Sequence, residues 1–195
     1  MMELGTIRLE TPRLILRKFT LGDAVEMFEN WASDDEVTKF LVWPTHASLE
    51  TSQEVIQAWL NDYQDLRQYI WCIELKDNHQ AVGSIGVVGR GPDQGSLEIG
   101  YCLSRSYWGL GLMSEALSAV ADLLLKQVRA ARLEARIDQR NFKSESVLKK
   151  CGFNFDRVEV GGGQNNLGPY DAWIYRLNSL KKRRNPAERL AVPLK

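Results

Sequence analysis

The spacing of apolar residues changes along the chain, and its first third alternates between strand and helix patterns. Residues 13–19, RLILRKF, are rich in the residues of a strand. Residues 20–32 follow as a helix with Thr20 as its N-cap. Residues 33–50 form a loop or broken helix that Pro44 stops. A second helix then has one apolar face, formed by Val55, Ile56, Trp59, Leu60 and Tyr63.

The middle third contains three short runs with strand composition. They span residues 68–75, 80–88 and 96–103, with turn residues at 76–79 and 89–93 between them. Three sequential strands with such short connections predict an antiparallel meander.

The last third returns to helical spacing and then alternates. The third helix has an apolar face made of Leu112, Met113, Ala116, Leu117, Val120, Ala121 and Leu124. Residues 132–137 predict a strand, residues 141–152 a helix that Gly152 ends, and residues 153–160 and 170–177 two further strands. The order β α α β β β α β α β β predicts one α/β domain over residues 1–178 on a mixed sheet.

Composition and charge exclude several classes of protein. The formal net charge of the 195 residues is zero, which argues against a domain that binds DNA through its phosphates. The chain has no apolar run of membrane-spanning length and no apolar core of a signal peptide, so we expect it in the cytoplasm. Its three cysteines lack CxxC spacing, which predicts neither disulfides nor a metal site. The basic residues 179–195 predict a solvated, mobile tail.

Two glycines stand where the third helix begins, in the stretch SYWGLGLMSEALSAV. Gly109 and Gly111 each cost a helix roughly 1 kcal/mol relative to alanine, so they need a reason. One role for the glycines is to leave the first amides of the helix accessible, because such amides bind phosphate groups. The alternative is that the glycines only shape a tight turn. The P-loop string GxxxxGK[ST] is absent, and Ser114 occupies the third glycine position of a dinucleotide fingerprint, so both of those nucleotide folds are excluded.

A second motif follows the 132–137 strand and selects among the remaining readings. It has the pattern N-x-x-S-x-x-x-L-x-K-x-G-F, formed by Asn141, Ser144, Leu148, Lys150, Gly152 and Phe153. Here the chain resembles the GNAT superfamily of acyl-CoA-dependent N-acetyltransferases. The glycine loop is similar to that family's motif Q/R-x-x-G-x-G/A, with Trp108 and Met113 as departures. These departures and the opening LETPRLILRKFTLGDA look like the RimJ/RimL branch. The resemblance covers residues 8 to about 178.

The resemblance implies a fold and a co-substrate. The fold is a mixed, mostly antiparallel sheet of about seven strands flanked by helices, splayed between the fourth strand, 96–103, and the fifth, 132–137. Acetyl-CoA would lie in that gap. Trp108 cannot supply the charge of an arginine, so backbone amides would carry nearly all of the diphosphate binding. The implied binding residues are Tyr101, Cys102, Leu103, Trp108, Gly109, Leu110, Gly111, Leu112, Met113, Ser114, Asn141 and Ser144.

Attack of an amine on a thioester needs a base and a group that receives the leaving thiolate. Glu98 is the candidate base, because strand alternation puts its carboxylate beside the expected gap. The alternative is a structural ion pair with an arginine such as Arg136. Ser144 is the candidate acid, since some relatives use the serine of this motif to protonate the leaving thiolate or to donate a hydrogen bond to it. The alternative is that Ser144 caps backbone amides in the first turn of the helix.

The resemblance implies an N-acetyltransferase that transfers acetyl directly in a ternary complex. RimJ/RimL members act on N-terminal amino groups of ribosomal proteins or on other primary amines, so a protein N-terminal α-amine is the first acceptor class. A small amine, such as a polyamine, amino acid or antibiotic, and a non-catalytic acyl-CoA-binding module are the alternatives. Residues 31–66 and the loop 161–170 would face the acceptor, and a homodimer stays open.

Overall fold

The computed structural model describes residues 1–91 and 95–179, in which one sheet has the strand order β1-β2-β3-β4-β5-β6-β8-β7. Every neighbouring pair is antiparallel except β5 and β6, which are parallel. The strands are β1 (Leu9–Glu10), β2 (Leu14–Arg17), β3 (Ile70–Leu75), β4 (Ala81–Arg90), β5 (Ser96–Leu103), β6 (Arg132–Asp138), β7 (Asn154–Asn165) and β8 (Gly168–Asn178).

Five α-helical segments of the described residues cover the two faces of this sheet. Two of them continue as π-helical turns, α1 through Phe28–Ala32 and α4 through Leu123–Gln127. No helix in the described part of the chain has the length and apolar content to cross a bilayer. The segments are α1 (Ala24–Met27), α2 (Asp35–Thr38), α3 (Leu49–Asp62), α4 (Leu112–Asp122) and α5 (Phe142–Lys150).

Side-chain alternation along the central strands divides the core between the two faces. Leu97 and Ile99 of β5 pack on the face covered by α4 and α5, whereas Cys102 of the same strand packs with Met27 and Ile56 under α1 and α3. The predicted apolar face of the third helix is confirmed, because all seven of its residues are buried. Thr20 is also confirmed as the residue before the first helical turn.

The expected mixed, mostly antiparallel sheet is confirmed, and its eight strands in the described residues include the short β1, whose two residues pair with β2. Two expectations need correction. Gly89 and Arg90, expected in a turn, extend β4 and pair with Glu98 and Leu97. Residues 161–165 continue β7, and 168–170 begin β8, so the expected loop 161–170 is mostly a hairpin. Residues 180–195 of the predicted tail lie outside the described residues.

The predicted splay is confirmed between β5 and β6. Their pairing stops after three residue pairs, of which the last joins Glu98 to Glu134. Beyond it β5 continues to Leu103 along β4, and β6 continues to Asp138 along β8. The two strands therefore open a wedge-shaped gap in the middle of the sheet.

Candidate active site

A cavity of about 540 Å³ occupies the wedge. Its walls are the open end of β5, the start of α4, one side of α5 and the segment Glu36–Leu41. Every residue expected to bind the co-substrate lines it except Leu110, whose side chain is exposed. Within the part of the chain that the structure describes, Glu98 does not belong to the lining.

The glycines before α4 are required by backbone conformation. Gly109 has φ of 79° and Gly111, the residue before the helix, has φ of 78°. Residues other than glycine rarely adopt this left-handed conformation. A Cβ on Gly109 would have no atom within 4 Å, so packing does not explain its presence. The resulting loop leaves the first amides of α4 at the cavity, where a helix start favours an anion.

The start of α5 brings two hydroxyl groups together at the other wall. Asn141 is the N-cap, and its Oδ1 accepts a hydrogen bond of 3.1 Å from the Ser144 amide. Asn141 therefore fills the capping role considered for Ser144. Ser144 Oγ lies 2.8 Å from the Tyr101 hydroxyl instead. Burial raises the pKa of Tyr101, so this hydroxyl keeps its proton at neutral pH.

The open edge of β5 offers backbone groups at alternate residues. The Ser104 amide donates to the Val82 carbonyl at 2.7 Å. In an antiparallel ladder every second pair is hydrogen-bonded, so the pair of Cys102 with Ser84 is hydrogen-bonded as well. Tyr101 and Leu103 consequently turn their backbone groups into the wedge. The Leu103 carbonyl accepts a hydrogen bond of 2.7 Å from the Trp108 indole. Cys102 directs its backbone to β4, so it does not offer the free backbone groups that we expected.

Four positive side chains and the carboxylate of Glu36 belong to the cavity wall in the described residues. The Lys143 ammonium lies 3.7 Å from the centre of the Trp108 ring. Trp108, which carries no charge, thus holds a cation against its face. The cations in the lining are Lys39, Arg140, Lys143 and Lys150.

Glu98 lies where the wedge closes, on the sheet face opposite α4. Its side chain is 33% exposed, and its Oε1 is 3.6 Å from Nε of Arg136. Arg136 also donates to Glu159 Oε2 at 2.6 Å and to the Gly162 carbonyl at 2.8 Å. We call these residues and their charged neighbours the Glu98 face. The neighbours are Glu134, Asp156, Arg157 and Arg176.

The β7–β8 hairpin borders the Glu98 face and is fixed by close contacts. A Cβ on Gly163 would lie 2.1 Å from Cζ of Tyr170, so the tyrosine ring packs directly on this glycine. Asn165 donates to Asp138 Oδ2 at 2.9 Å. Asn166, in the turn, donates to the carbonyls of Thr38 at 3.0 Å and Trp43 at 2.9 Å. Hydrogen bonds therefore hold the hairpin to β6, to the last residue of α2 and to the segment after it.

The sequence patterns missed two parts of the cavity wall. Lys143, Val147 and Lys150 repeat at helical spacing on the side of α5 that faces the cavity, a signal present in the sequence. Residues 36–41 lie within the range 31–66 that we expected to face the acceptor, and no pattern in the sequence indicates that they also line the co-substrate cavity. Among residues 1–91 and 95–179, no group of three or more His, Cys, Asp and Glu side chains is arranged to hold a metal ion.

Comparison with known proteins gives consistent results. The family described as acetyltransferase (GNAT) domain matches residues 13–154. The N-acetyltransferase YoaA of Bacillus subtilis (strain 168), itself uncharacterized, is 32% identical over 169 residues, which cover 87% of this chain and 95% of YoaA. The uncharacterized N-acetyltransferase p20 of Bacillus licheniformis is 32% identical over 146 residues, 74% of this chain and 81% of p20.

Two solved structures share the fold at lower identity. The ribosomal-protein-S5-alanine acetyltransferase from Vibrio fischeri has a TM-score of 0.77 and 19% identity, with 91% of this chain and 100% of that chain covered. The RimL ribosomal L7/L12 α-N-protein acetyltransferase, solved with coenzyme A, has a TM-score of 0.78 and 18% identity, with 88% and 98% covered.

Proposed function

This chain belongs to the GNAT acetyltransferase family, and we propose that it transfers the acetyl group of acetyl-CoA directly to a primary amine in a ternary complex. We further propose a protein N-terminal α-amine as the acceptor. The observation that carries the first proposal is the cavity in the wedge. It combines the open backbone edge of β5, the first amides of α4 and four cations, of which Lys39 and Arg140 also pair with Glu36 and Asp138. Together these groups suit a long arm that ends in phosphates.

The proposed reaction assigns one task to each side of the sheet. The nitrogen of the neutral amine attacks the thioester carbonyl, the C–S bond breaks, and a thiolate leaves. Glu98 takes the proton that the amine loses, directly or through water. The Ser144 hydroxyl donates a hydrogen bond to the thiolate, or relays a proton to it. In the relay, the Tyr101 hydroxyl, 2.8 Å away, replaces the proton of Ser144 and regains its own from solvent. Tyr101 and Leu103 would bind the arm through their backbone groups.

The proposed acceptor is one that needs little help to lose its proton. Glu98, the proposed base, is one-third exposed and lies 3.6 Å from Nε of Arg136. A lysine amine has a pKa of about 10.4, whereas an α-amine has one of about 7.8 and is partly neutral at pH 7. A base that contributes about 10²-fold is sufficient for the α-amine. The fold is shared with a ribosomal-protein-S5-alanine acetyltransferase and with a ribosomal L7/L12 α-N-protein acetyltransferase, and this supports the same class.

The proposal is tested by measuring thiol release from acetyl-CoA with a panel of amines. The panel contains peptides with N-terminal alanine or serine, the same peptides with a blocked N-terminus and one internal lysine, a polyamine and an aminoglycoside. We expect turnover with the free N-termini and almost none with the blocked peptides. Preferred turnover of the small amines would contradict the acceptor class, and binding of acetyl-CoA without any turnover would support a non-catalytic module instead.

A further inference from the structure

The turn between β1 and β2, residues 11–13, contacts the glycine loop before α4. Glu115, in the first turn of α4, accepts hydrogen bonds from the Thr11 hydroxyl at 2.6 Å and from the Arg13 amide at 2.8 Å. These residues belong to the LETPRL stretch at the start of the chain, to which the proposed chemistry gives no task. Glu115 is more than 100 residues away in sequence from both Thr11 and Arg13.

The Arg13 side chain connects three parts of the start of α4. Its Nε donates to Glu115 Oε2 at 2.7 Å, and its Nη1 donates to the Leu110 carbonyl at 2.9 Å. Its Nη2 lies 3.7 Å from the position that a Cβ on Gly111 would take. A planar guanidinium can make these contacts at once because its donors are held in a fixed fork.

The contact with Leu110 determines where the next amide points. In a trans peptide the carbonyl and the following N–H point in opposite directions. When Arg13 holds the Leu110 carbonyl, the amide of Gly111 is turned to the other side of the loop. Gly111 lines the cavity, whereas Leu110 and Arg13 do not belong to its lining among the described residues. Arg13 thereby keeps the Gly111 amide on the side of the loop away from its own guanidinium, and Gly111 is part of the cavity wall.

The ion pair with Glu115 makes this contribution one of geometry. Burial acts to raise the pKa of Glu115, but hydrogen bonds from Thr11 and Arg13 outweigh it and leave the pKa lowered. Glu115 is therefore ionised at neutral pH and balances the charge of Arg13. The Glu115 carboxylate, 2.7 Å from Arg13, offsets much of the positive charge that Arg13 could present to a diphosphate. The effect of Arg13 on the diphosphate therefore comes from geometry and not from charge.

We propose that Arg13 is a positioning residue for the diphosphate of the acyl donor, acting through the Leu110 carbonyl on the amides of the glycine loop. This inference rests on the proposed binding of acetyl-CoA in the wedge. It predicts that Arg13 matters for donors that carry the diphosphate and not for donors that lack it.

The experiment compares Arg13→Met, Arg13→Lys and the control Arg8→Met with the unchanged protein. Arg8 is a matched control, because it lies in the same N-terminal segment and pairs with exposed Glu10. Calorimetry with coenzyme A should give a Kd about tenfold higher for Arg13→Met and an unchanged Kd for Arg8→Met. Arg13→Lys should stay weak, since one ammonium cannot hold both Glu115 and the Leu110 carbonyl.

Kinetics with two donors separates positioning from general damage. For Arg13→Met we expect the KM for acetyl-CoA to rise about tenfold with kcat unchanged. The kcat/KM with S-acetylpantetheine, which lacks the diphosphate, should stay within twofold. An equal loss with both donors, recovery in Arg13→Lys, or an unchanged Kd for coenzyme A would overturn the inference. Failure of the proposed function looks different: the unchanged protein would bind no coenzyme A, or would bind it and acetylate no amine.

Discussion

The cavity and the Glu98 face lie on either side of the same wedge but are built by different means. The cavity relies on backbone conformation, through the left-handed glycines before α4, the N-cap of α5 and the open edge of β5. The Glu98 face relies on side-chain ion pairs between residues distant in sequence, such as Glu98 with Arg136 and Arg136 with Glu159. Backbone donors recognise a feature shared by all acyl-CoA donors, whereas side chains can differ between acceptors.

The largest expected effect lies on the Glu98 face. For Glu98→Gln we expect kcat at pH 7 to fall about 100-fold, because the amine loses its proton acceptor. The Kd for coenzyme A should stay within twofold, since Glu98 does not line the described cavity. The loss of kcat should shrink at about pH 7.8 and above, because 7.8 is about the pKa of a free α-amine and more of the amine is then already neutral. Initial rates from pH 6 to 9 and calorimetry measure both quantities.

Glu159→Gln is the matched control for this variant, because Glu159 also pairs with Arg136 but has no proposed role as a base. We expect its kcat to stay within a few-fold of the unchanged protein. If both variants lose the same activity with the same pH profile, Glu98 acts only as a partner of Arg136. The division of tasks between the two sides would then be wrong.

A smaller effect is expected in the cavity, and on binding instead of rate. Gly111→Ala forces an alanine towards φ of 78°, a strain of roughly 1–2 kcal/mol that the loop relieves by changing shape. We expect the Kd for coenzyme A to rise about tenfold while kcat at saturating donor changes little. Gly22→Ala is the control, since a Cβ there would meet only Thr20 Oγ1 at 3.6 Å. An unchanged Kd in Gly111→Ala would show that conformation is not what the cavity requires.

The smallest effect concerns Asp138, which joins the two regions. Its carboxylate binds Arg140, which lines the cavity, and Asn165 in the hairpin. The hydrogen bond from Arg140 outweighs burial and lowers the pKa of Asp138. A lowered pKa adds stability above the unfolded-state value of about 3.9, and this stability is lost as the pH falls through the folded-state pKa.

Asp138→Asn should therefore lower Tm by a few degrees at pH 7 and by less at pH 3. Thermal unfolding followed by circular dichroism at the two pH values measures the difference. Asp122→Asn, which removes an exposed pair with Lys126, is the control and should change Tm little at either pH. If Asp138→Asn lowered Tm by the same amount at pH 7 and at pH 3, the charge effect assigned to Asp138 would be contradicted.

Features with a local cause could be predicted from the sequence. The buried face of α4 follows from helical spacing, and the glycines before it follow from a backbone angle that few other residues adopt. The splay between β5 and β6 was implied by the family resemblance and is present.

Features that depend on distant partners could not be predicted. The run of three glycines at 161–163 has the composition of a loop, yet Tyr170 packs on Gly163 and keeps the run within the hairpin. The contact of Arg13 with Leu110 spans 97 residues, and no periodic pattern indicates it. The ion pair of Glu98 with Arg136 was an open alternative, because charges in sequence do not specify which partner they find.

The short pairing of β5 with β6 also has a mechanical consequence. Within the described residues, β5 and β6 pair along residues 96–98 and 132–134, and the Ala131 amide donates to the Gly95 carbonyl just before this stretch. A molecule that contacts both β5 and α5 bridges the gap between β5 and β6. Its binding free energy then adds to the stability of the folded sheet. Amide hydrogen exchange along residues 135–138 of β6, which pair with β8 but not with β5, should therefore slow down when this molecule is bound.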